Sequence, residues 1–266
     1  MATASAAPAP SPWLVARDLV AGYLPGIDIL RGVSVEAARG QVRCVLGPNG
    51  TGKSTLLKAL FGFLDLRQGE IRLGGEAASA TSPHKLGPPR LEPHEMGRQG
   101  VAYLPQRPSL FPHLSVEVNL RLGAWRYRGD RKRVEELVAR ACEQFPVLAE
   151  RRRQAAGTLS GGQQRQLEIA RSLMQDPVLF LIDEPTAGIE PRVTGMIYDL
   201  IKSLAADGKA ILLVDQNIKR ALEIADYVYV MRTGTVLSQG SRAEFGGDTE
   251  ALVARWLYAS GDTRQE

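Results

Sequence analysis

Only two of the 266 residues are cysteine, Cys44 and Cys142. Two thiols offer neither a disulfide framework nor the spacing of a metal site. Cys44 lies in an apolar stretch and reads as a small buried side chain. Long apolar runs are missing as well: none approaches the roughly 20 residues that a membrane span needs. Residues Met1 to Pro12 are mostly Ala, Pro and Ser, with no basic n-region and no apolar h-region. They do not make a secretory signal, and 1–12 is read as a disordered lead. Neither sign of charge dominates. A net charge of +4 suits anionic ligands or a membrane surface and gives no ground to expect a nucleic-acid partner. The chain is therefore expected in the cytosol. Its length and its 44% hydrophobic content fit one large α/β domain, or a core with a smaller subdomain.

What the chain does have centres on Gly47-Pro48-Asn49-Gly50-Thr51-Gly52-Lys53-Ser54. This fits G-x-x-x-x-G-K-[ST] at every fixed position. The apolar stretch 41–46 before it reads as a buried strand, and 55–60 after it as a helix start. In that setting the glycines let backbone N–H groups curl around phosphate oxygens, and the helix N-terminus adds partial positive charge. Lys53 is placed for the β- and γ-phosphates, and the Ser54 hydroxyl for Mg²⁺.

Around this loop the elements can be read in order. A first strand covers 13–20. Tyr23, thirty residues ahead of Lys53, is either an adenine-stacking ring or ordinary strand-end packing. A second strand is expected over 29–35, with a turn at Arg31-Gly32, and a short strand and turn over 69–75. The Pro- and Gly-containing stretch 76–99 reads as an irregular, solvated loop. It holds His84, Glu92, His94 and Glu95 without a ligand geometry. A strand at 101–104 ends at Pro105-Gln106, and Ser115 caps a helix.

Val134, Leu137, Val138, Ala141, Phe145 and Leu148 keep helical spacing. The span 121–153 carries ten basic and five acidic residues. It reads as helical with a basic exterior, either simply solvated or lying beside acidic lipid. Ser160 and Gln163 have capping-box spacing at the start of a further helix. Gly161 and Gly162 in its first turn suit the close approach of a phosphate, or a plain N-cap.

The continuous apolar run 178–182 is expected to be a strand buried on both faces, ending at Asp183 and Glu184. Carboxylates at the carboxyl end of a parallel strand lie where such sheets put their chemistry. Asp183 suits a Mg²⁺ shell, and Glu184 suits a base that polarises water. A helix over 192–206, a strand over 210–214 ending at Asp215-Gln216-Asn217, a helix over 218–225, a hairpin over 227–238 and a terminal helix near 248–259 complete the reading.

Taken together, these stretches resemble the ATP-binding-cassette (ABC) ATPase subunits of transporters over residues 13–258. Gly47 to Ser54 matches Walker A, Leu159-Ser160-Gly161-Gly162-Gln163 the signature, and Leu179 to Glu184 Walker B with its adjoining glutamate. The phrases LFPHLSVEVNL, LSGGQQRQLEIARSLM and VDQNIKRALEIADYVYVM are similar to the ATPases of branched-chain amino acid, urea and amide importers. The resemblance implies a P-loop α/β core with a mixed sheet, a helical signature subdomain near 105–175 and an N-terminal antiparallel β region. It implies a single domain over 13–260 followed by a tail at 261–266.

It also implies ATP held by Tyr23, Gly47, Pro48, Asn49, Gly50, Thr51, Gly52, Lys53, Ser54, Thr55, Gln106 and Asp183. Mg²⁺ falls to Ser54, Gln106 and Asp183, and hydrolysis to Glu184 and Gln216. The signature acts on the ATP of a second such subunit, identical or not. Two permease subunits are implied, with an extracytoplasmic solute-binding protein acting indirectly, at the cytoplasmic face of a bacterial inner membrane. Gln216 stands where most of the family has histidine, and Glu190 where it has aspartate.

Overall fold

The computed structural model describes residues 11–74, 84–86, 92–107 and 109–245. Strands β3 (Val42–Leu46), β7 (Leu179–Asp183) and β8 (Ala210–Asp215) are buried at every position. Their uninterrupted apolar runs suit a parallel sheet covered on both faces. With β6 (Val101–Leu104), β9 (Tyr227–Arg232) and β10 (Thr235–Ser241) they form a six-stranded sheet ordered β10-β9-β3-β8-β7-β6. Every pair is parallel except β9–β10, the hairpin turned at Thr233-Gly234. A second, antiparallel sheet has the order β2-β1-β4-β5, from β1 (Pro12–Ala21), β2 (Leu30–Ala38), β4 (Leu66–Leu73) and β5 (His84–Leu86).

Side chains alternate across the large sheet, so one strand feeds two cores. Val45, Leu181, Leu212 and Val214 pack with helix α1 (Lys53–Phe61) and the antiparallel sheet. Cys44, Phe180, Ile182 and Leu213 face the opposite way, toward helices. These include α3 (Val116–Gly123), α4 (Arg131–Gln144), α5 (Pro146–Glu150) and α6 (Gly161–Leu173). Helices α7 (Pro191–Ala206) and α8 (Ile218–Ile224) cover the same face. The helical stretch between β6 and β7 thus shares one continuous apolar core with the sheet. Ser115 caps α3 by accepting from Val118 N, and Asp130 caps α4 by accepting from Arg133 N.

Several local expectations change. No turn divides β2 at Arg31-Gly32. The strand runs on through a bulge, its register against β1 slipping between Leu19↔Val33 and Val20↔Arg31. The strand expected at 69–75 begins earlier, at Leu66, because pairing with β1 extends it. The stretch read as irregular contains β5 and a short helix, α2 (Pro93–Arg98), with proline in its first turn. Six residues with one buried anchor, Met96, leave no readable period. The helical spacing read between Arg131 and Leu148 belongs to two helices, divided at Phe145 because Pro146 starts a new one. β1 begins at Pro12, inside the expected lead, and the expected terminal helix lies outside the described residues.

Phe180 has no exposed surface in the middle of β7. Phe180→Ala is expected to lower unfolding stability by about 3–5 kcal/mol in denaturant titration. A loss under about 1 kcal/mol would contradict the placement of this ring in the core.

Candidate nucleotide site

Neighbouring parallel strands end level with one another. Leu46 pairs with Asp215, Asp183 with Val214, and Leu104 with Ile182. Four connections therefore leave the sheet on one edge, and they carry the glycine loop, Gln106, Asp183-Glu184 and Gln216. This is the edge where open α/β sheets bind ligands. Together with Tyr23 they line a cleft of about 460 Å³. Asn49, Gly50, Gly52, Lys53, Ser54, Thr55, Gln106, Glu184 and Gln216 all border it.

The loop enters α1 through Gly52, which has φ 100 and no capping side chain. An L residue is strained at that angle, and the uncapped helix start leaves backbone N–H groups for an anion. Lys53 is 4% exposed and folds back on its own loop, donating to Gly47 O at 2.8 Å and Pro48 O at 3.0 Å. Its Nζ is 4.0 Å from Glu184 Oε1. Burial pushes the lysine pKa down, while Glu184, Asp183 and Asp215 pull it back up.

Of the three residues expected around magnesium, Ser54 and Asp183 are joined directly, Ser54 Oγ donating to Asp183 Oδ1 at 2.9 Å. A hydroxyl beside a carboxylate is a hard-oxygen pair that fits Mg²⁺. Gln106 is instead joined to Glu184, its Nε2 donating to Oε2 at 2.6 Å. Burial pushes the Glu184 carboxyl above the ordinary glutamate value, against the pull of Lys53. Asp183 and Asp215 are raised for the same first cause. Glu184 also holds φ 42, a left-handed backbone that glutamate rarely adopts. Tyr23 stands half-exposed at the mouth of the cleft, its hydroxyl 3.5 Å from Thr55 Oγ1, with Lys58 Nζ over its ring.

The chain covered by these elements matches the family model described as ABC transporter over residues 30–187. The chain belongs to the ABC transporter family. Among relatives of this ABC ATPase is the probable branched-chain amino acid transport ATP-binding protein LivF of Archaeoglobus fulgidus. It is 39% identical, over 85% of this chain and 91% of its own. The high-affinity branched-chain amino acid transport ATP-binding protein BraG of Pseudomonas aeruginosa is 36% identical over 86% and 94%. The lipopolysaccharide export system ATP-binding protein LptB of Acidithiobacillus ferridurans is 35% identical over 88% and 92%. A nucleotide-free ATP-binding cassette from an ABC transporter superposes with TM-score 0.75 at 27% identity, covering 91% of this chain and 95% of the other. The ADP conformation of another cassette gives 0.73 at 28%, covering 92% and 94%.

The signature of this ABC ATPase lies elsewhere in the fold: none of Leu159, Ser160, Gly161, Gly162 and Gln163 is among the residues lining the cleft. Ser160 and Gln163 form the expected capping box on α6. The two glycines have different reasons. Gly161 faces open space, whereas a Cβ on Gly162 would lie 2.6 Å from Val193 Cγ1 of α7. Helix packing thus gives the second glycine a reason of its own, beside its reading as a place for phosphate approach. Gly47, Pro48, Thr51 and Asp183 are not among the lining residues; Gly47 and Pro48 accept from Lys53, Thr51 donates to Pro48 O, and Asp183 accepts from Ser54.

Two groups went unread in the sequence. Tyr198 of α7 donates to the buried Asp215 Oδ2 at 2.7 Å, and Asn217 N donates to Asp215 Oδ1 at 2.9 Å. They lock the turn that presents Gln216. Tyr103 lies 3.5 Å from Asp183 Oδ2. An aspartate and a tyrosine 17 residues apart carry no spacing signal; only the docking of α7 on β8 makes them partners.

The hydrogen bond from Gln106 favours the charged form of Glu184. Removing it is expected to move the Glu184 midpoint further up. Carbon-13 NMR of side-chain-labelled glutamate in the Gln106→Leu protein checks this, and a midpoint that falls would contradict it.

Proposed function

We propose that this ABC ATPase hydrolyses Mg²⁺·ATP in the cleft to power an importer of branched-chain amino acids or related small polar solutes. The observation that carries the reading is one sheet edge. There Lys53 faces Glu184 at 4.0 Å, and Ser54 bonds Asp183 at 2.9 Å. Lys53 exchanges its loop carbonyls for the β- and γ-phosphate oxygens. Glu184, ionised and desolvated, accepts a proton from the attacking water. Gln106 orients that carboxylate, Gln216 offers a neutral hydrogen bond near the γ-phosphate, and Tyr23 stacks on the base. Ser54 and Asp183 would hold the metal ion, which when bound supplies positive charge to the phosphate oxygens.

The cargo is supported by the two branched-chain amino acid transport relatives at 39% and 36% identity, and the lipopolysaccharide-export relative at 35% stands for the alternative. In the same reading a second ATPase subunit supplies the signature, Leu159 to Gln163, to each nucleotide. Two permease subunits take up the motion and a solute-binding protein delivers cargo, with this chain at the cytoplasmic membrane face. No helix among the described residues is long and apolar enough to cross a membrane. Loss of the gene is expected to abolish uptake of labelled leucine, isoleucine or valine by whole cells. Normal uptake together with a defective cell envelope would favour export.

The chemistry has its own test. Glu184→Gln is expected to bind ATP normally and turn it over at least about 100-fold more slowly, because the shape survives while the base is lost. Lys53→Ala is expected to lose both. Turnover of Glu184→Gln at the normal rate would remove Glu184 from the mechanism.

Phe111 and Leu114 are exposed apolar residues on the loop before α3. The loop is held rigid by the buried Asn119, whose amide donates to Phe111 O at 3.0 Å and Leu114 O at 3.3 Å. This face is assigned to the permease. A cysteine at position 111 is expected to cross-link to it in the assembled transporter. Cross-links arising only from β10, on the opposite edge of the sheet, would overturn that assignment.

A further inference from the structure

Arg165 is 1% exposed, and its charge is met by Glu168, equally buried one turn further along α6. The guanidinium does more than pair. Its Nε donates to Pro185 O at 3.0 Å, Nη1 to Pro105 O at 2.7 Å, and Nη2 to Asp183 O at 3.3 Å. Glu168 in turn accepts from Ser109 N at 2.8 Å and Ser109 Oγ at 3.1 Å. One ion pair on a single helix therefore grips the segment after β6 at residues 105 and 109, and the turn after β7 at 183 and 185.

Those contacts bracket the reactive groups. Asp183 and Pro185 flank Glu184, whose φ of 42 has no local residue preference behind it. Pro105 precedes Gln106, which donates to Glu184 at 2.6 Å. A strained backbone persists only where its surroundings over-determine it, and here both neighbouring carbonyls are held by the same side chain. A buried ion pair adds little net stability over apolar packing of equal volume. Its geometric reach, three carbonyls from one planar fork, is what an apolar side chain lacks.

We propose that Arg165 is a positioning residue for hydrolysis, setting the place of Glu184 and Gln106 from helix α6. It lies in the second turn of that helix, so a shift of the α6 N-terminus moves the catalytic carboxylate with it. The signature and the base of one chain then act as one mechanical unit. The proposal rests on Glu184 being the base, and the Glu184→Gln experiment tests that separately.

Arg165→Lys keeps a cation opposite Glu168 but loses the fork. It is expected to lower kcat by about 10- to 100-fold while the affinity for a fluorescent ATP analogue stays within about twofold, since only the reacting geometry is disturbed. In a Glu184→Gln background, the same change is expected to lower the single-turnover rate no further, because it acts through that carboxylate. If the lysine variant does not fold, the charge-neutral Arg165→Gln with Glu168→Gln carries the same comparison, with melting temperature measured alongside. Normal kcat in a folded variant would overturn the proposal. So would ATP affinity falling in step with kcat, or an equal loss in both backgrounds. Failure of both variants to fold would assign the pair to stability alone and overturn it too.

Discussion

The ammonium of Lys53 is held almost entirely out of water, and the surrounding structure answers to that. An unpaired cation in such a place costs several kcal/mol. The loop meets part of that demand with the carbonyls of Gly47 and Pro48, and β7 meets more with Glu184 at 4.0 Å. The loop carbonyls are local, but Glu184 can arrive only because β3 and β7 end level on either side of β8, as their registers dictate. The same burial leaves the lysine eager for anionic oxygens and keeps the neighbouring carboxyls easier to protonate than in water.

The helical layer is tied to that edge by polar contacts set in an apolar surround. Gly162 lets α6 lie against Val193 of α7, and Tyr198 of α7 locks the turn before Gln216. Arg165 and Glu168 join α6 to the segments bearing Gln106 and Glu184. Because one core cluster spans these helices and one face of the sheet, displacement of the layer is felt at the cleft. That is the mechanical requirement for a subunit whose hydrolysis must move something else.

The glycine loop, the all-apolar strands β3, β7 and β8, and the Ser160–Gln163 capping box were legible because each is a local pattern. A phosphate loop needs glycines at fixed intervals, a central strand needs unbroken apolar residues, and a cap needs partners three apart. The bulge in β2, the early start of β4 and helix α2 were not legible. Strand partners decide the first two, and α2 is too short to show a period. Pro146 was visible in the sequence, but the apolar spacing on either side of it concealed the break between α4 and α5.

By itself, the sequence determined that this chain has a parallel α/β core with a phosphate loop, and that carboxylates follow one of its buried strands. Those features rest on neighbours within a few positions, so chain order suffices. Tertiary structure alone decided that Gln106 donates to Glu184, that Gly162 packs against a neighbouring helix, and that Arg165 grips both carbonyls beside Glu184. These pairings join residues 18 to 78 positions apart. Their energies exist only after the cores on both faces of the sheet have closed, so no local pattern records them.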